Sequence, residues 1–345
     1  MNLPDGAGAA LSLRVLAFMD RSLKSAAHED FDALALEIHR WQRERDPVLA
    51  ALTEAEPRCL AEIPAVPVGL FKDLPVGTVP PREAFVVFRT SGTTGGGRGE
   101  HRLRNSMLYD HGAFAWAQVC VPGAPADIVA LLDDPTQTPD SSLAHMVNLF
   151  TKFGPHGTAS WHAPGGRLDR DAANARLRTL GKPVFFATTA FALAEFLDGD
   201  TAHLPRGSVL MVTGGFKGRV HRLDGSQLYA AAQERFPHAR LVTEYGMTEL
   251  SSQLWGTPNQ AYRPPPWLRP IAVEPGSGRP LPAETAGQLR FYDLCNVDST
   301  LGVETLDQGV VHADGTVTLI GRLADAPARG CSLTVEEAWE LRGGR

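Results

Sequence analysis

The stretch Arg89-Thr-Ser-Gly-Thr-Thr-Gly-Gly-Gly-Arg-Gly99 combines glycines, hydroxyl side chains and a cation. Its glycines allow positive φ angles and can turn several backbone N–H groups toward one anion. Arg98 adds positive charge, and further donors come from the hydroxyl groups of Thr90, Ser91, Thr93 and Thr94. The apolar run 84–88 before the stretch predicts a buried strand. We therefore predict a phosphate-binding loop that leaves the end of a strand.

The spacing of this loop excludes the two commonest nucleotide-binding motifs. It is neither Gly-x-x-x-x-Gly-Lys-Ser/Thr nor Gly-x-Gly-x-x-Gly. A Gly/Ser/Thr cluster taken alone is also compatible with a surface turn. The ordered serine and threonine pattern after a strand favours the phosphate loop.

Composition and charge limit the classes of function. The chain has 345 residues, of which 43% are hydrophobic, so it can form a large core in one or two domains. A net charge of −6 argues against a nucleic-acid or anionic-membrane surface. No apolar run approaches the roughly 18 residues of a membrane span, so a cytoplasmic protein is expected. Its cysteines form no Cys-x-x-Cys pair, so neither zinc nor disulfides are predicted.

Apolar runs alternate with helical patterns along the chain. Two helices are predicted within residues 8–45. Further along, the pattern predicts strands at 128–132, 184–189 and 208–212 and helices at 172–180 and 226–236. This order predicts an α/β fold with a mixed or parallel sheet flanked by helices, in which ligands bind at the carboxyl ends of the strands.

The loop resembles the phosphate loop of the adenylate-forming superfamily, which includes acyl-CoA synthetases, luciferases and peptide-synthetase adenylation domains. That loop reads Thr-Ser-Gly-Thr-Thr-Gly-x-Pro-Lys-Gly, and Gly97 and Arg98 replace its proline and lysine. Arginine keeps the charge but has a planar, forked geometry. The resemblance implies ATP as cofactor, with a catalytic role for Arg98 and phosphate contacts from Thr90, Ser91, Gly92, Thr93, Thr94 and Gly95.

The resemblance also implies a domain organisation. Residues 1–320 would form the large N-terminal adenylation domain, and 321–345 a short remnant in place of the full mobile C-terminal domain. Asp325 falls at the superfamily's interdomain hinge, and no lysine follows Lys217 to match the late lysine of the full-length enzymes.

A second match is Tyr245-Gly-Met-Thr-Glu249, which resembles the superfamily's Tyr-Gly-x-Thr-Glu. The resemblance implies that Tyr245 and Gly246 contact adenine, that Thr248 contacts the α-phosphate and that Glu249 binds Mg²⁺. It implies adenine contacts for Gly214 and Gly215 as well, although two glycines after a strand can be an ordinary turn.

A third match begins at Asp307, continues through the hairpin turn signal Asp314-Gly315 and ends at Arg322. In the superfamily these positions bind the ribose hydroxyls, so Asp307 and Arg322 are assigned that role by resemblance. The alternatives are a turn cap for Asp307 and a surface ion pair for Arg322.

The segment Pro64-x-x-Pro-x-x-Leu-Phe-Lys72, taken with the loop, resembles LuxE-like acyl-protein synthetases. That family carries an acyl-accepting cysteine near its C-terminus, which implies this role for Cys331. The neighbouring Arg329 and a capping box at 334–337 favour the thiolate. Cys59, Cys120 and Cys295 are expected to be buried and inert.

Three functions remain open from the sequence. The first is an ATP-dependent acid–thiol ligase that forms an acyl-adenylate from a fatty or aryl acid, transfers the acyl group to Cys331 and delivers it to an acyl reductase. The second is an acyl- or aryl-CoA or carrier-protein ligase in which Cys331 is not catalytic. The third is a non-catalytic subunit. The acid pocket is expected to draw on Phe185, Phe186, Phe191 and residues after Gly215.

Overall fold

The computed structural model describes residues 6–25, 31–90, 97–214 and 225–323. Within these ranges the α-helices are α1 (Gly6–Ser22), α2 (Phe31–Arg43), α3 (Pro47–Leu52), α4 (Leu70–Asp73), α5 (Met107–Cys120), α6 (Ser142–Leu149), α7 (Arg170–Arg178), α8 (Ala190–Leu197) and α9 (Gly225–Arg235). The strands are β1 (Val66–Pro67), β2 (Val86–Arg89), β3 (Glu100–Leu103), β4 (Ile128–Leu131), β5 (Ala159–Trp161), β6 (Phe185–Thr189), β7 (Val209–Thr213), β8 (Arg240–Tyr245), β9 (Leu254–Gly256), β10 (Leu268–Val273), β11 (Ala286–Asp293), β12 (Gly302–Val311) and β13 (Val317–Arg322).

The chain divides into two compact units. Unit 1 contains the described residues of 1–112, 247–252 and 263–345, and unit 2 contains those of 113–246 and 253–262. The chain therefore passes from unit 2 into unit 1 directly after Gly246. The predicted boundary at residue 320 stays a prediction, because the residues after 323 lie outside the described part.

Unit 2 contains a six-stranded sheet in the order β5-β4-β6-β7-β8-β9, in which only β9 is antiparallel to its neighbour. Its central strands are buried along nearly their whole length, as expected for parallel strands covered on both faces. The predicted strands at 128–132, 184–189 and 208–212 are confirmed as β4, β6 and β7, and the predicted helices as α7 and α9. The predicted α/β class is therefore confirmed.

The aromatic residues at the start of β6 belong to the core of unit 2. Phe186 packs against Phe196 and Phe236, with ring centroids 5.7 and 6.2 Å away. Phe185 packs edge-on against Phe150 at 5.4 Å. Both Phe185 and Phe186 are 0% exposed. The structure thus places them in the core and not in an acid pocket, contrary to the prediction, because they precede the carboxyl end of the strand.

Unit 1 contains a sheet in the order β1-β12-β11-β10, with β13 also paired to β12. Strand β1 runs parallel to β12, and the other pairs are antiparallel. The predicted turn at Asp314-Gly315 is confirmed, since Gly315 has a φ of +82° between β12 and β13. Helix α2 buries Phe31, Leu34, Ala35, Ile38 and Trp41, the apolar face that its sequence indicates.

Strands β2 and β3 form a separate two-stranded antiparallel sheet in unit 1. The predicted buried strand at 84–88 is partly wrong: β2 covers Val86–Arg89, and of its residues only Phe88 is buried. Phe85 is 83% exposed. A two-stranded ribbon buries one face at most, whereas the apolar run suggested burial on both faces. The predicted phosphate loop therefore lies between two antiparallel strands in the sequence.

The cysteines differ in exposure. Cys295 is buried as expected, but Cys120 is half-buried and Cys59 is exposed, so the prediction of burial is wrong for those two. Cys331 lies outside the described residues. Within the described part of the chain, no helix has both the length and the apolar character needed to cross a bilayer.

Candidate functional site

The two ends of the predicted phosphate loop are joined by hydrogen bonds. The Thr90 amide donates to the Gly99 carbonyl at 3.0 Å, and the Gly99 amide donates to the Thr90 hydroxyl at 2.9 Å. Arg98 donates from Nε to the Thr90 carbonyl at 2.6 Å and from Nη2 to the Arg89 carbonyl at 3.3 Å. Thr90 and Arg98 therefore fix the base of the loop. Ser91, Gly92, Thr93, Thr94 and Gly95 lie outside the described residues.

The Leu-Phe-Lys segment of α4 packs against this loop base. A Cβ added at Gly99 would lie 3.3 Å from the Cβ of Phe71, and one added at Gly97 would lie 3.2 Å from the Lys72 carbonyl oxygen. Phe71 is itself buried. A side chain at position 97 would therefore crowd the Lys72 carbonyl, and this contact favours glycine there. The two segments that carry the LuxE-like resemblance are thus neighbours in unit 1.

In unit 2, the other two glycine-containing motifs meet at the carboxyl edge of the sheet. Thr213 and Glu244 are register partners at the ends of β7 and β8, and the Thr213 hydroxyl donates to the Glu244 carboxylate. Gly214 follows with a φ of +68°, which favours glycine. A Cβ at Gly246 would lie 2.5 Å from Glu244 Oε1, so a larger residue would displace that carboxylate. Gly214, Tyr245 and Gly246 therefore share one edge, whereas Gly215 lies outside the described residues.

A second tyrosine packs against Tyr245. The ring centroids of Tyr245 and Tyr262 are 6.0 Å apart at an interplanar angle of 60°. Burial raises the pKa of the Tyr262 hydroxyl to about 12, and the Tyr229 hydroxyl is its hydrogen-bonding partner. These contacts limit the orientations open to the Tyr245 ring. No local sequence signal points to Tyr262 or Tyr229, because their positions depend on long-range packing.

In unit 1, the residues after Met247 are held by a buried polar network. Glu249 is 7% exposed, and its carbonyl accepts a hydrogen bond from Asn296 Nδ2 at 3.0 Å. The amides of Ser251 and Ser252 donate to Asp293 Oδ2 at 3.0 and 2.9 Å. We call Asp293 and Asn296 together the Asp293/Asn296 clamp. Sequence reasoning missed both, although two polar residues in the apolar run 291–297 are a usable signal.

His101 on β3 belongs to the same network. Its Nε2 lies 3.2 Å from the Ser251 hydroxyl, and Nδ1 is buried without a hydrogen-bond partner. Burial, assisted by the neighbouring Arg102, lowers the pKa of His101 to about 3. The imidazole is therefore neutral in the folded protein at every pH near neutrality.

This lowered pKa predicts a loss of stability in acid. Below pH 6.5 the unfolded chain binds a proton at His101 that the folded chain does not, so the free energy of unfolding falls as the pH decreases. At pH 5 this proton uptake lowers the free energy of unfolding by about 2 kcal/mol, at 1.36 kcal/mol per pH unit below 6.5. His101→Gln should reduce the difference in unfolding free energy between pH 7.5 and pH 5 by about this amount in urea titrations.

Burial raises the pKa of Asp293 to about 6, so protonation of Asp293 increases the free energy of unfolding as the pH falls, which is opposite to the effect of His101. Asp293 is present in both proteins, so its contribution cancels in the comparison. An unchanged pH dependence in His101→Gln would contradict the prediction.

Asp307 and Arg322 are opposite each other in the β12–β13 register. Arg322 Nε lies 4.0 Å from Asp307 Oδ1, and the Arg322 side chain is 56% exposed. An ion pair this long and this exposed contributes little to stability. The structure thus brings the two predicted ribose-binding residues together, in the kind of surface ion pair that was the alternative for Arg322.

The carboxylate oxygens of Glu249 are suitable ligands for a magnesium ion that is bound to a nucleotide. Within the described residues, no group of three or more His, Cys, Asp or Glu side chains is arranged to hold a metal ion. Magnesium at nucleotide sites uses one or two carboxylates together with phosphate oxygens and water. The carboxylate of Glu249 is of the type that binds Mg²⁺ at such nucleotide sites.

No protein-family model and no curated protein sequence matches this chain. Its structure is similar to ATP-bound MatB from Rhodopseudomonas palustris, with 13% identity and a TM-score of 0.51 over 71% of this chain and 49% of that chain. It is also similar to the o-succinylbenzoate CoA synthetase MenE from Bacillus subtilis, with 15% identity and a TM-score of 0.51 over 70% of this chain and 50% of that chain. The fold is that of an N-terminal adenylation domain.

VinN gives a similar result, with 17% identity and a TM-score of 0.51 over 70% of this chain and 62% of that chain. The chain spans about half the length of the MatB and MenE chains that it matches. The predicted adenylation-domain fold is confirmed. Identities this low establish the fold alone, so activity and substrates are argued from the site residues.

Proposed function

We propose that this protein uses MgATP to convert a carboxylic acid into an acyl-adenylate with release of pyrophosphate. One observation carries the proposal: Gly214, Tyr245 and Gly246 lie together at the carboxyl ends of β7 and β8. This is the edge at which parallel α/β sheets bind ligands. The fold that the chain shares with ATP-bound MatB supports the assignment.

Each proposed role follows from the chemistry of the residue. Tyr245 offers a flat face on which adenine can stack, and its ring is already packed against Tyr262. Thr248 supplies a hydroxyl donor for the α-phosphate, and Glu249 an oxygen ligand for Mg²⁺. Asp307 and Arg322 would bind the ribose. The loop 90–99, with Arg98 at its base, would bind the pyrophosphate portion.

The proposed reaction forms one bond to the α-phosphorus and breaks another. A carboxylate oxygen attacks the α-phosphorus of ATP, the bond from that phosphorus to the bridging oxygen breaks, and pyrophosphate leaves with the electron pair. Mg²⁺ neutralises phosphate charge when bound. The protein contributes mainly by positioning the acid in line and by donating hydrogen bonds to the phosphates. The product is a mixed anhydride in which AMP is a good leaving group.

We further propose that Cys331 accepts the acyl group. The thiolate would attack the acyl carbonyl carbon, the bond to AMP would break, and a thioester would form on the protein. An acyl reductase would then receive the acyl group from the protein. The support is the position of Cys331 in the sequence and the LuxE-like segment that packs against the loop base through Phe71.

A CoA or carrier-protein ligase is the second candidate. Its support is the shared fold with MenE, a CoA synthetase whose structure contains the product analogue OSB-NCoA. In that case Cys331 would take no part, and a pantetheine thiol would accept the acyl group from the adenylate.

Exchange of labelled pyrophosphate into ATP tests the shared first step. We expect exchange that depends on both Mg²⁺ and one class of acid when fatty acids of increasing length and aryl acids are compared. Exchange with none of the acids, from a folded protein, would contradict the proposal and favour a non-catalytic subunit. Removal of Mg²⁺ with EDTA serves as the internal control.

A further inference from the structure

The Asp293/Asn296 clamp holds the backbone of the segment that contains Glu249. Asp293 Oδ2 accepts the amides of Ser251 and Ser252 at 3.0 and 2.9 Å, and Oδ1 accepts the Ser252 hydroxyl at 2.8 Å. Asn296 accepts the Ser251 amide at 3.1 Å and donates to the Glu249 carbonyl at 3.0 Å. Every one of these hydrogen bonds is buried, and all the residues belong to unit 1.

The clamp is itself fixed by helix α2. Gln42 on α2 donates from Nε2 to the carbonyls of Asn296 and Val297 at 2.7 and 3.1 Å, and it accepts the Leu301 amide at 3.0 Å. Asn296 Nδ2 also donates to the Thr300 carbonyl at 3.0 Å. The turn that carries Asp293 and Asn296 is therefore held by groups distant in sequence, and the clamp can act as a fixed support.

Packing alone does not explain a carboxylate at position 293. Asp293 is 0% exposed, and its hydrogen-bond donors are neutral: the amides of Ser251, Ser252 and Cys295 and the Ser252 hydroxyl. Burying a carboxylate is costly, but an apolar side chain here would leave these buried donors without an acceptor. A carboxylate supplies two acceptor oxygens: here Oδ2 accepts the consecutive amides of Ser251 and Ser252, and Oδ1 accepts the Ser252 hydroxyl and the Cys295 amide.

We propose that Asp293 and Asn296 are positioning residues that hold the Glu249 backbone so that its carboxylate is presented to the Mg²⁺ of MgATP. The inference rests on the proposed function. Magnesium requires near-ideal octahedral geometry, so small displacements of a ligand reduce its affinity. Asn296 acts on Glu249 directly through the Glu249 carbonyl, and Asp293 acts through Ser251 and Ser252, which follow after Leu250.

The test compares Asp293→Asn and Asn296→Ala with wild type. Calorimetry gives the ratio of the dissociation constants for ATP without and with Mg²⁺, and hydrogen exchange reports protection of the amides at 249–252. We expect each variant to lower the ratio by about tenfold or more, the usual effect of losing a residue that supports a metal ligand. Protection at Ser251 and Ser252 should fall in both variants.

Asp298→Asn is the matched control. Asp298 is a mostly buried carboxylate in the same turn, but it accepts the Arg104 amide at 2.8 Å and pairs with the Arg104 side chain at 3.0 Å. This variant should lower stability while leaving the magnesium ratio unchanged. If Asp293→Asn does not fold, Asn296→Ala and Ser252→Ala carry the test, because each removes part of the network and leaves the buried carboxylate intact.

The possible failures are distinguishable. Wild type that binds ATP with a magnesium dependence, together with folded variants that keep the same ratio, would overturn this inference alone. Wild type that binds no ATP with or without Mg²⁺ would overturn the proposed function and this inference with it. An equal loss of the ratio in Asp298→Asn would show that general destabilisation is the cause, which also overturns the inference.

Discussion

Cys331→Ser should abolish the thioester-linked labelling of the protein by a radioactive acid and ATP, while pyrophosphate exchange stays within about twofold of wild type. The two steps use different groups. Adenylation requires the nucleotide site and the acid, whereas only the second step requires a thiolate. The measurement is gel-resolved label that is released by neutral hydroxylamine, which cleaves thioesters. Cys331→Ala should behave in the same way, and it excludes an oxygen ester at position 331.

Cys59 provides the matched control for this experiment. It is an exposed cysteine in the described part of the chain, so a freely diffusing acyl-adenylate could label it nonspecifically. Cys59→Ser should keep the full label if Cys331 is the acceptor. Label that survives Cys331→Ser would contradict the self-acylation proposal. Unchanged formation of an acyl-CoA by Cys331→Ser would favour the ligase that MenE suggests.

Glu249→Gln should reduce pyrophosphate exchange at saturating acid by about a hundredfold or more, as losses of transition-state charge stabilisation typically do. Glutamine keeps the shape of the side chain but removes the negative charge that a magnesium ligand supplies. Glu249 is buried, so water cannot easily replace the lost ligand from bulk solvent. Higher Mg²⁺ concentrations should restore part of the activity, which initial rates over a magnesium titration would measure.

Glu274→Gln is the control for charge removal. Glu274 is an exposed carboxylate of unit 1 that pairs with Arg279, and the proposed reaction does not use it. Its substitution should leave both exchange and the magnesium titration unchanged. Exchange by Glu249→Gln within a few-fold of wild type would contradict the assignment of Glu249 as the magnesium ligand.

Local sequence pattern predicted the parallel sheet well. Strands such as β6 and β7 are continuous apolar runs bounded by polar residues, and covered parallel strands have this pattern. It also predicted the turn at Gly315, whose φ of +82° is a local requirement. The prediction that an apolar run is buried was wrong at Phe85, because an apolar side chain in a two-stranded ribbon can face solvent.

The motif residues were predictable, but their supporting residues were not. Gly214, Tyr245 and Glu249 lie in segments with recognisable chemistry. Tyr262, which packs against Tyr245, and Asp293, which holds the Ser251 and Ser252 amides, are supplied by distant parts of the chain. No local pattern encodes which residue meets another after folding. An isolated polar residue in an apolar run, such as Asp293, predicts a buried hydrogen-bonding partner but does not identify that partner.

The sequence alone therefore determined the α/β class, the strands β4, β6 and β7 and the segments that carry the candidate chemistry. The class and the strands depend on periodicity and side-chain type, which are local properties, whereas the roles of the candidate residues were assigned from the resemblance of short motifs. Only the tertiary structure decided that Thr213 and Glu244 are paired, that Phe71 supports the phosphate-loop base and that Asp293 and Asn296 hold the Glu249 segment. Those contacts join residues far apart in sequence, and their geometry exists only once the sheets have formed and the buried polar groups have found partners.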